Sequence, residues 1–272
     1  MSTPESHIPD IPPFSPPPPA LEPVTSPSPV EDPPWNLWDV AGVTIIFALM
    51  MTICLVGLAY LAHRFLAASV PWTELTKRHD ILMGAQLLTY VLTSIVMYRM
   101  VWTQTGGKVL QAIRWNWPRN WSIYIAGGVA LEIGLLLLAT RLPMPKHAPI
   151  EDFFRTARDA WILSLFGVLF APLFEEVYFR GFLYPALARR LGVPISIVLT
   201  AVFFAAIHAP QLSDAWGPVL VIFLVGLTLT TVRAVRKSLA ATILMHMAYN
   251  GTIFVAAYLA TDGFRHLEKM NQ

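Results

Sequence analysis

Glu175, Glu176 and Arg180 stand inside an otherwise apolar stretch, FEEVYFRGFLYPALARR, Phe174 to Arg190. Two later apolar runs bring FFAAIH, with Phe204 one turn before His208, and HMAYN, with His246 and Asn250 at i, i+4. A carboxylate can take a proton from water, imidazoles can orient that water or bind a metal, and a carboxamide can donate to an oxyanion. Ionisable groups at the centre of a membrane helix cost about 2.5–3.5 kcal/mol each, so they normally face a protein interior or a wet cavity. Together a carboxylate, the two imidazoles and the amide form a hydrolytic set.

Helical spacing sorts their roles. Adjacent residues on a helix point about 100° apart, so Glu175 and Glu176 cannot aim at one target. Glu176 and Arg180 are four apart with the acid first, the order that favours pairing, and the guanidinium fork suits a carboxylate in low dielectric. Glu175 is then the free carboxylate, and Glu176 with Arg180 its scaffold. Taken singly, each residue has a plainer account: a membrane histidine as an interhelical hydrogen-bond partner, an EExxxR run as a charged helix end.

The elements that position these residues are membrane helices. The chain has 272 residues, 55% hydrophobic and 13% charged, against about 25% charged in soluble domains. Several apolar runs approach the roughly 20 residues that cross a bilayer. Spans are expected at Leu37 to Ala62, Ile81 to Trp102, Trp121 to Thr140, Trp161 to Leu187, Ile195 to Ala209, Trp216 to Val232 and Leu239 to Ala260. This is an all-α polytopic bundle of seven to eight transmembrane helices, with Trp35 and Trp38 suited to the interface. A short surface helix is expected from Ile150 to Ala160. The catalytic half runs from 161 to 260 within a bundle of 35–272.

Residues 1–34 hold 13 of the 23 prolines and no lysine or arginine. Proline fixes φ and lacks a backbone donor, so this stretch is expected to be an extended, disordered tail; a proline-reading partner is its second reading. A net charge of +2 does not suggest nucleic acid. Cys54 lies in an apolar run and reads as a packing thiol. Glu132, midway along the third span, either reaches the cavity or is a protonated or hydrogen-bonded packing residue. The basic loops ARRLG and RAVRK place their side of the bundle in the cytosol by the positive-inside rule, and the site is expected to open there.

Glu175–Arg180, Phe204–His208 and His246–Asn250 resemble, in order and on three successive segments, the motifs EExxxR, FxxxH and HxxxN/D of the CPBP family, the CAAX-protease and bacteriocin-processing (Abi) membrane proteases. The resemblance covers about Trp161 to Ala260. It implies an intramembrane endopeptidase, similar to a type II CAAX prenyl protease, that cuts a membrane-tethered peptide or protein. Glu175 would activate water, His208 position it, and His246 and Asn250 stabilise the oxyanion, with Glu176, Arg180 and Phe204 in support. Family members are commonly labelled metalloproteases, and Glu175, His208 and His246 are the zinc ligands this would imply. A metal-free mechanism stands beside it, because a carboxylate spent as a ligand is a poorer base and no HExxH is present. Two other classes compete: a non-catalytic membrane scaffold or regulatory partner that keeps the fold, and a proton-coupled transporter, which would repeat its motifs in both halves.

Overall fold

The computed structural model describes residues 31–145, 154 and 156–268. Seven helices in it are long and apolar enough to cross a bilayer, and the described residues contain no strand. They are α1 Leu37–Phe65, α2 His79–Thr105, α3 Trp121–Ala139, α4 Ala157–Leu191, α5 Val193–His208 (a span of Val193–Leu212 with the 3₁₀ turn that follows it), α6 Trp216–Arg236 and α7 Leu239–Ala260. The protein is an integral, multi-pass membrane bundle. Leu49, Ile53, Ile95, Leu137 and Leu259 turn outward, exposed, as lipid-facing surface requires.

Local sequence explains the helix ends. Asn36 and Asp39 form a reciprocal capping box that starts α1. Thr156 accepts from the Asp159 backbone N–H and starts α4, and Ser238 accepts from Ala241 N–H and starts α7. Gly106, at φ 60°, ends α2 in the left-handed region. Helix α5 begins at Val193, earlier than expected, and runs on through a 3₁₀ turn, Ala209–Leu212.

Several expectations need correction. Residues 157–160, assigned to a surface helix, are the first turn of α4, while 146–153 and 155 lie outside the described residues. Helix α6 continues past Val232 to Arg236, so Arg233 is no loop charge but a fully buried residue. Trp35 does not face outward: it is wholly buried, whereas Trp38 is exposed. Residues 1–30 of the expected tail lie outside the described residues. Its last four are held against the bundle, with Glu31 buried and the Pro33 carbonyl accepting from Arg189 at 2.7 Å.

Helix α4 departs most from an ideal helix. It contains two π-helical segments, Phe166–Phe170 and Val177–Leu183, which bracket Glu175 and Glu176. Each is followed within two residues by a proline, Pro172 and Pro185. Proline donates no N–H and crowds the carbonyl four residues back, so the local helix widens. Carbonyls within both segments are tied from outside: Asn250 Nδ2 donates to Gly167 O at 2.6 Å, and Trp35 Nε1 donates to Phe182 O at 2.9 Å.

The strongest interhelical contacts join α3 to α7, α5 to α6, and α1 to α2. At the α3–α7 crossing a methyl group on Gly128 would overlap the Met245 carbonyl and stand 2.8 Å from Ala248 Cβ and 2.9 Å from Tyr249 N. Only glycine permits that approach. Gly128→Ala is therefore expected to destabilise the bundle by about 1–3 kcal/mol, the usual cost of overpacking. Thermal unfolding of the detergent-solubilised protein measures it, and an unchanged melting temperature would show that the two helices have room to part.

Candidate active site

Three helices bring the expected residues together. Glu175 is buried on α4, 8% exposed, between two imidazoles from other helices. His208 Nε2, at the end of α5, lies 3.9 Å from Glu175 Oε1, and His246 Nε2, on α7, lies 3.8 Å from Glu175 Oε2. Neither separation is a direct hydrogen bond.

The far nitrogens of both rings are fixed. His208 Nδ1 is 2.7 Å from the Phe204 carbonyl, which can only accept, so Nδ1 carries a proton and Nε2 is turned toward Glu175. His246 Nδ1 is 2.8 Å from Glu176 Oε1, and a carboxylate likewise accepts. Both Nε2 atoms therefore face Glu175 from rings held on the opposite edge.

Glu176 and Arg180 form the expected scaffold, fully buried. Arg180 Nη1 donates to Glu176 Oε1 at 2.8 Å, the oxygen that also takes His246. Its Nε donates to Thr230 Oγ1 at 3.2 Å and its Nη2 to Gly226 O at 3.1 Å, both on α6. The guanidinium carbon lies 4.4 Å from the centroid of Phe204 on α5, near enough for a cation–π contact. Arg180 thus ties α4 to α5 and α6, and Glu176 ties α4 to α7. Phe204 also packs against both histidine rings, at 4.7 Å from His208 and 5.8 Å from His246.

Asn250 is one turn beyond His246, as expected, and one of its two amide hydrogens is committed to Gly167 O. Glu132 shares a hydrogen bond with Tyr249 across the α3–α7 crossing, the bonded alternative of its two readings. Cys54 is buried.

The zinc set tests poorly against geometry. Ligands at 2.0–2.1 Å in a tetrahedral site stand about 3.3 Å from one another, closer than the 3.8 and 3.9 Å found around Glu175. Among the described residues no three His, Cys, Asp or Glu side chains are grouped to hold one ion. The expected metal ligands Glu175, His208 and His246 are brought together, but not as a ligand cage.

Sequence reasoning missed several partners. Tyr90 on α2 stacks on Phe174 at 4.1 Å, nearly parallel, and its phenol lies within electrostatic reach of Glu175 while accepting from Gln86 Nε2 at 2.8 Å. The signal was QLLTY, a polar pair at i, i+4 in the second apolar run. Thr230 and Gly226 carried no signal that separates them from packing residues.

Comparison with known proteins adds the following. The chain is 30% identical over 153 residues to ferric reduction oxidase 3, mitochondrial, of Arabidopsis thaliana, covering 54% of this chain and 21% of that protein. It is 28% identical over 141 residues to ferric reduction oxidase 8, mitochondrial, of the same plant, covering 50% and 19%. The chain thus spans about a fifth of the length of these curated relatives, and the activity in their names stays with them. No solved structure matches. Residues 157–252, which carry Glu175, Glu176, Arg180, His208, His246 and Asn250, match the family described as "Rce1-like: Type II CAAX prenyl endopeptidase Rce1-like", in agreement with the CPBP family of the three motifs.

Proposed function

We propose that the protein is an intramembrane endopeptidase, of the type II CAAX prenyl protease kind, that hydrolyses a peptide bond in a membrane-tethered substrate. The observation that carries this reading is the cluster around Glu175: a buried carboxylate whose two oxygens each face an imidazole Nε2 held from behind. The Glu175 carboxylate and His208 Nε2 offer acceptors, so the cluster takes up a donor, and water bridges separations of this size.

In the reaction, water gives one proton to Glu175 as its oxygen attacks the substrate carbonyl, and the carbonyl electron pair moves onto oxygen. His208 Nε2 accepts a hydrogen bond from the O–H that stays on the attacking oxygen and fixes the direction of attack. His246, protonated at Nε2 and flanked by Glu176, donates to the oxyanion, as does the second amide hydrogen of Asn250. Glu175 then returns its proton to the leaving nitrogen as the C–N bond breaks. Glu176 and Arg180 hold the geometry and touch no reacting atom.

An apolar groove of about 500 Å³ between α2 and α4 supports a substrate bearing hydrocarbon; Tyr90, Met97, Leu173, Phe174 and Val177 line it. Opening of the site toward the cytosol belongs to the same reading, consistent with a prenylated C-terminal peptide as substrate. The test is cleavage of a lipidated, internally quenched peptide by the purified protein in bilayer nanodiscs. Cleavage is expected, and its absence across lipidated and plain peptides would overturn the assignment. Because the chemistry runs on Glu175, stripping divalent metal with chelators is expected to leave the rate within about twofold. A loss restored by zinc would transfer water activation to a metal.

A further inference from the structure

We infer that Glu31 to Trp35, the segment leading into α1, is a positioning strap that holds the second π segment of α4, and with it Glu176 and Arg180, in register with α6. The inference rests on the peptidase reading for its kinetic consequence only.

Glu31 is 3% exposed although it precedes the first helix. Its Oε1 accepts from Arg233 Nη1 at 2.9 Å and its Oε2 from Arg114 Nε at 3.1 Å, so one carboxylate bridges two cations. Arg233 is completely buried, and its Nε and Nη2 have no hydrogen-bond partner among the described residues. A desolvated guanidinium is costly unless paired, and Glu31 supplies the ion pair found for it. Arg233 also lies over the ring of Tyr184, 5.6 Å from its centroid, one turn beyond Arg180 on α4.

Trp35 provides the second point of attachment. It is fully buried, its indole N–H donates to Phe182 O within the π segment, and its ring stacks on Phe182 at 5.1 Å. Helix α6 therefore carries Gly226 and Thr230 for Arg180, and one turn further Arg233 for Glu31. The strap and the catalytic scaffold grip the same two helices at adjacent turns. A packing segment would need neither the buried charge nor the bond to a π-segment carbonyl.

The experiment compares Glu31→Gln, Glu31→Asp and Trp35→Phe in the full chain, by steady-state kinetics on the lipidated peptide and by amide hydrogen exchange of residues 177–187. Glu31→Gln is expected to lower kcat about fivefold with KM within about twofold, the range of coupling through a packed network, and to speed exchange in that segment. Glu31→Asp, which keeps the charge, recovers most of kcat. Trp35→Phe, which keeps the ring and loses the donor, speeds exchange in the same place. The strap is overturned if the Gln and Phe variants keep both kcat and exchange unchanged. It is equally overturned if activity falls only in proportion to folded protein and Asp rescues nothing. A wild-type chain that cleaves no peptide sinks the peptidase reading, and the exchange comparison still decides the strap.

Discussion

Glu175→Gln is expected to lower kcat by about a thousandfold, within the range a positioned general base supplies, while KM moves little and the melting temperature stays level or rises. The amide keeps the shape of the carboxylate and cannot take a proton from water, so the loss falls on the transition state and not on substrate binding. The stability side follows from what Glu175 touches. It makes no direct hydrogen bond to either histidine, at 3.9 and 3.8 Å, and it stands beside a second anion, Glu176, which is the one that pairs with Arg180. Removing its charge breaks no direct hydrogen bond to either histidine and takes an anion out of low dielectric. A residue that costs stability and returns activity is placed for chemistry. Kinetics on the lipidated peptide and thermal unfolding of the same preparation check both halves. A Gln variant that cleaves at the wild-type rate would remove Glu175 from the mechanism and favour a non-catalytic scaffold.

Arg180→Ala is expected to give the opposite pattern, with a loss of about 3–5 kcal/mol, the cost of leaving a buried ion pair half made. That corresponds to a melting temperature lower by roughly 10 °C. Three arguments set the size. The guanidinium is completely buried, it bonds to Glu176, Thr230 and Gly226 at once, and it covers the Phe204 ring. Truncation strands Glu176, leaves the Gly226 carbonyl with one partner fewer, and opens a hole between α4, α5 and α6. Arg180→Lys restores the charge but has a single head, which cannot reach three acceptors in a plane, so it recovers only part of the loss. Thermal unfolding in detergent is the measurement. A melting temperature within 2 °C of wild type, well inside the roughly 10 °C expected, would show that water replaces the guanidinium without penalty. Activity falls too, because Glu176 holds His246 Nδ1 through the oxygen that takes Arg180.

Seven spans and three motifs were legible because both depend on short-range order. An apolar run of about 20 residues has little alternative to a membrane helix. A four-residue spacing puts Glu176 with Arg180, and Phe204 with His208, wherever the helix goes. The same spacing separated Glu175 from Glu176 only in part: Glu175 faces the Nε2 edges of both imidazoles, while Glu176, paired with Arg180, reaches His246 from its Nδ1 edge, so the two carboxylates share that ring.

Composition misled where position mattered more. Residues 1–34 share one proline-rich, lysine-free character, yet Glu31 ends in a buried pair and Trp35, just after them, in a buried stack. Nothing local distinguishes Glu31 from the tail's other acids, because its partners, Arg114 and Arg233, are 83 and 202 residues away in sequence. Arg233 read as a loop charge because a basic residue at the end of an apolar run normally reaches water.

The two π segments fall between these cases. Pro172 and Pro185 are visible in the chain and predict disturbed helix, since each removes a donor and crowds a carbonyl. They do not say that the helix widens instead of kinking or ending. That outcome needed Asn250 and Trp35 to bond carbonyls within the widened turns, and both come from other helices or the chain leading into them. Residue types and helical phase thus chose which side chains could meet. Which oxygen each imidazole faces, and what steadies the helix that carries Glu175, was settled by long-range packing, because a buried polar group is satisfied only by whatever the fold brings against it.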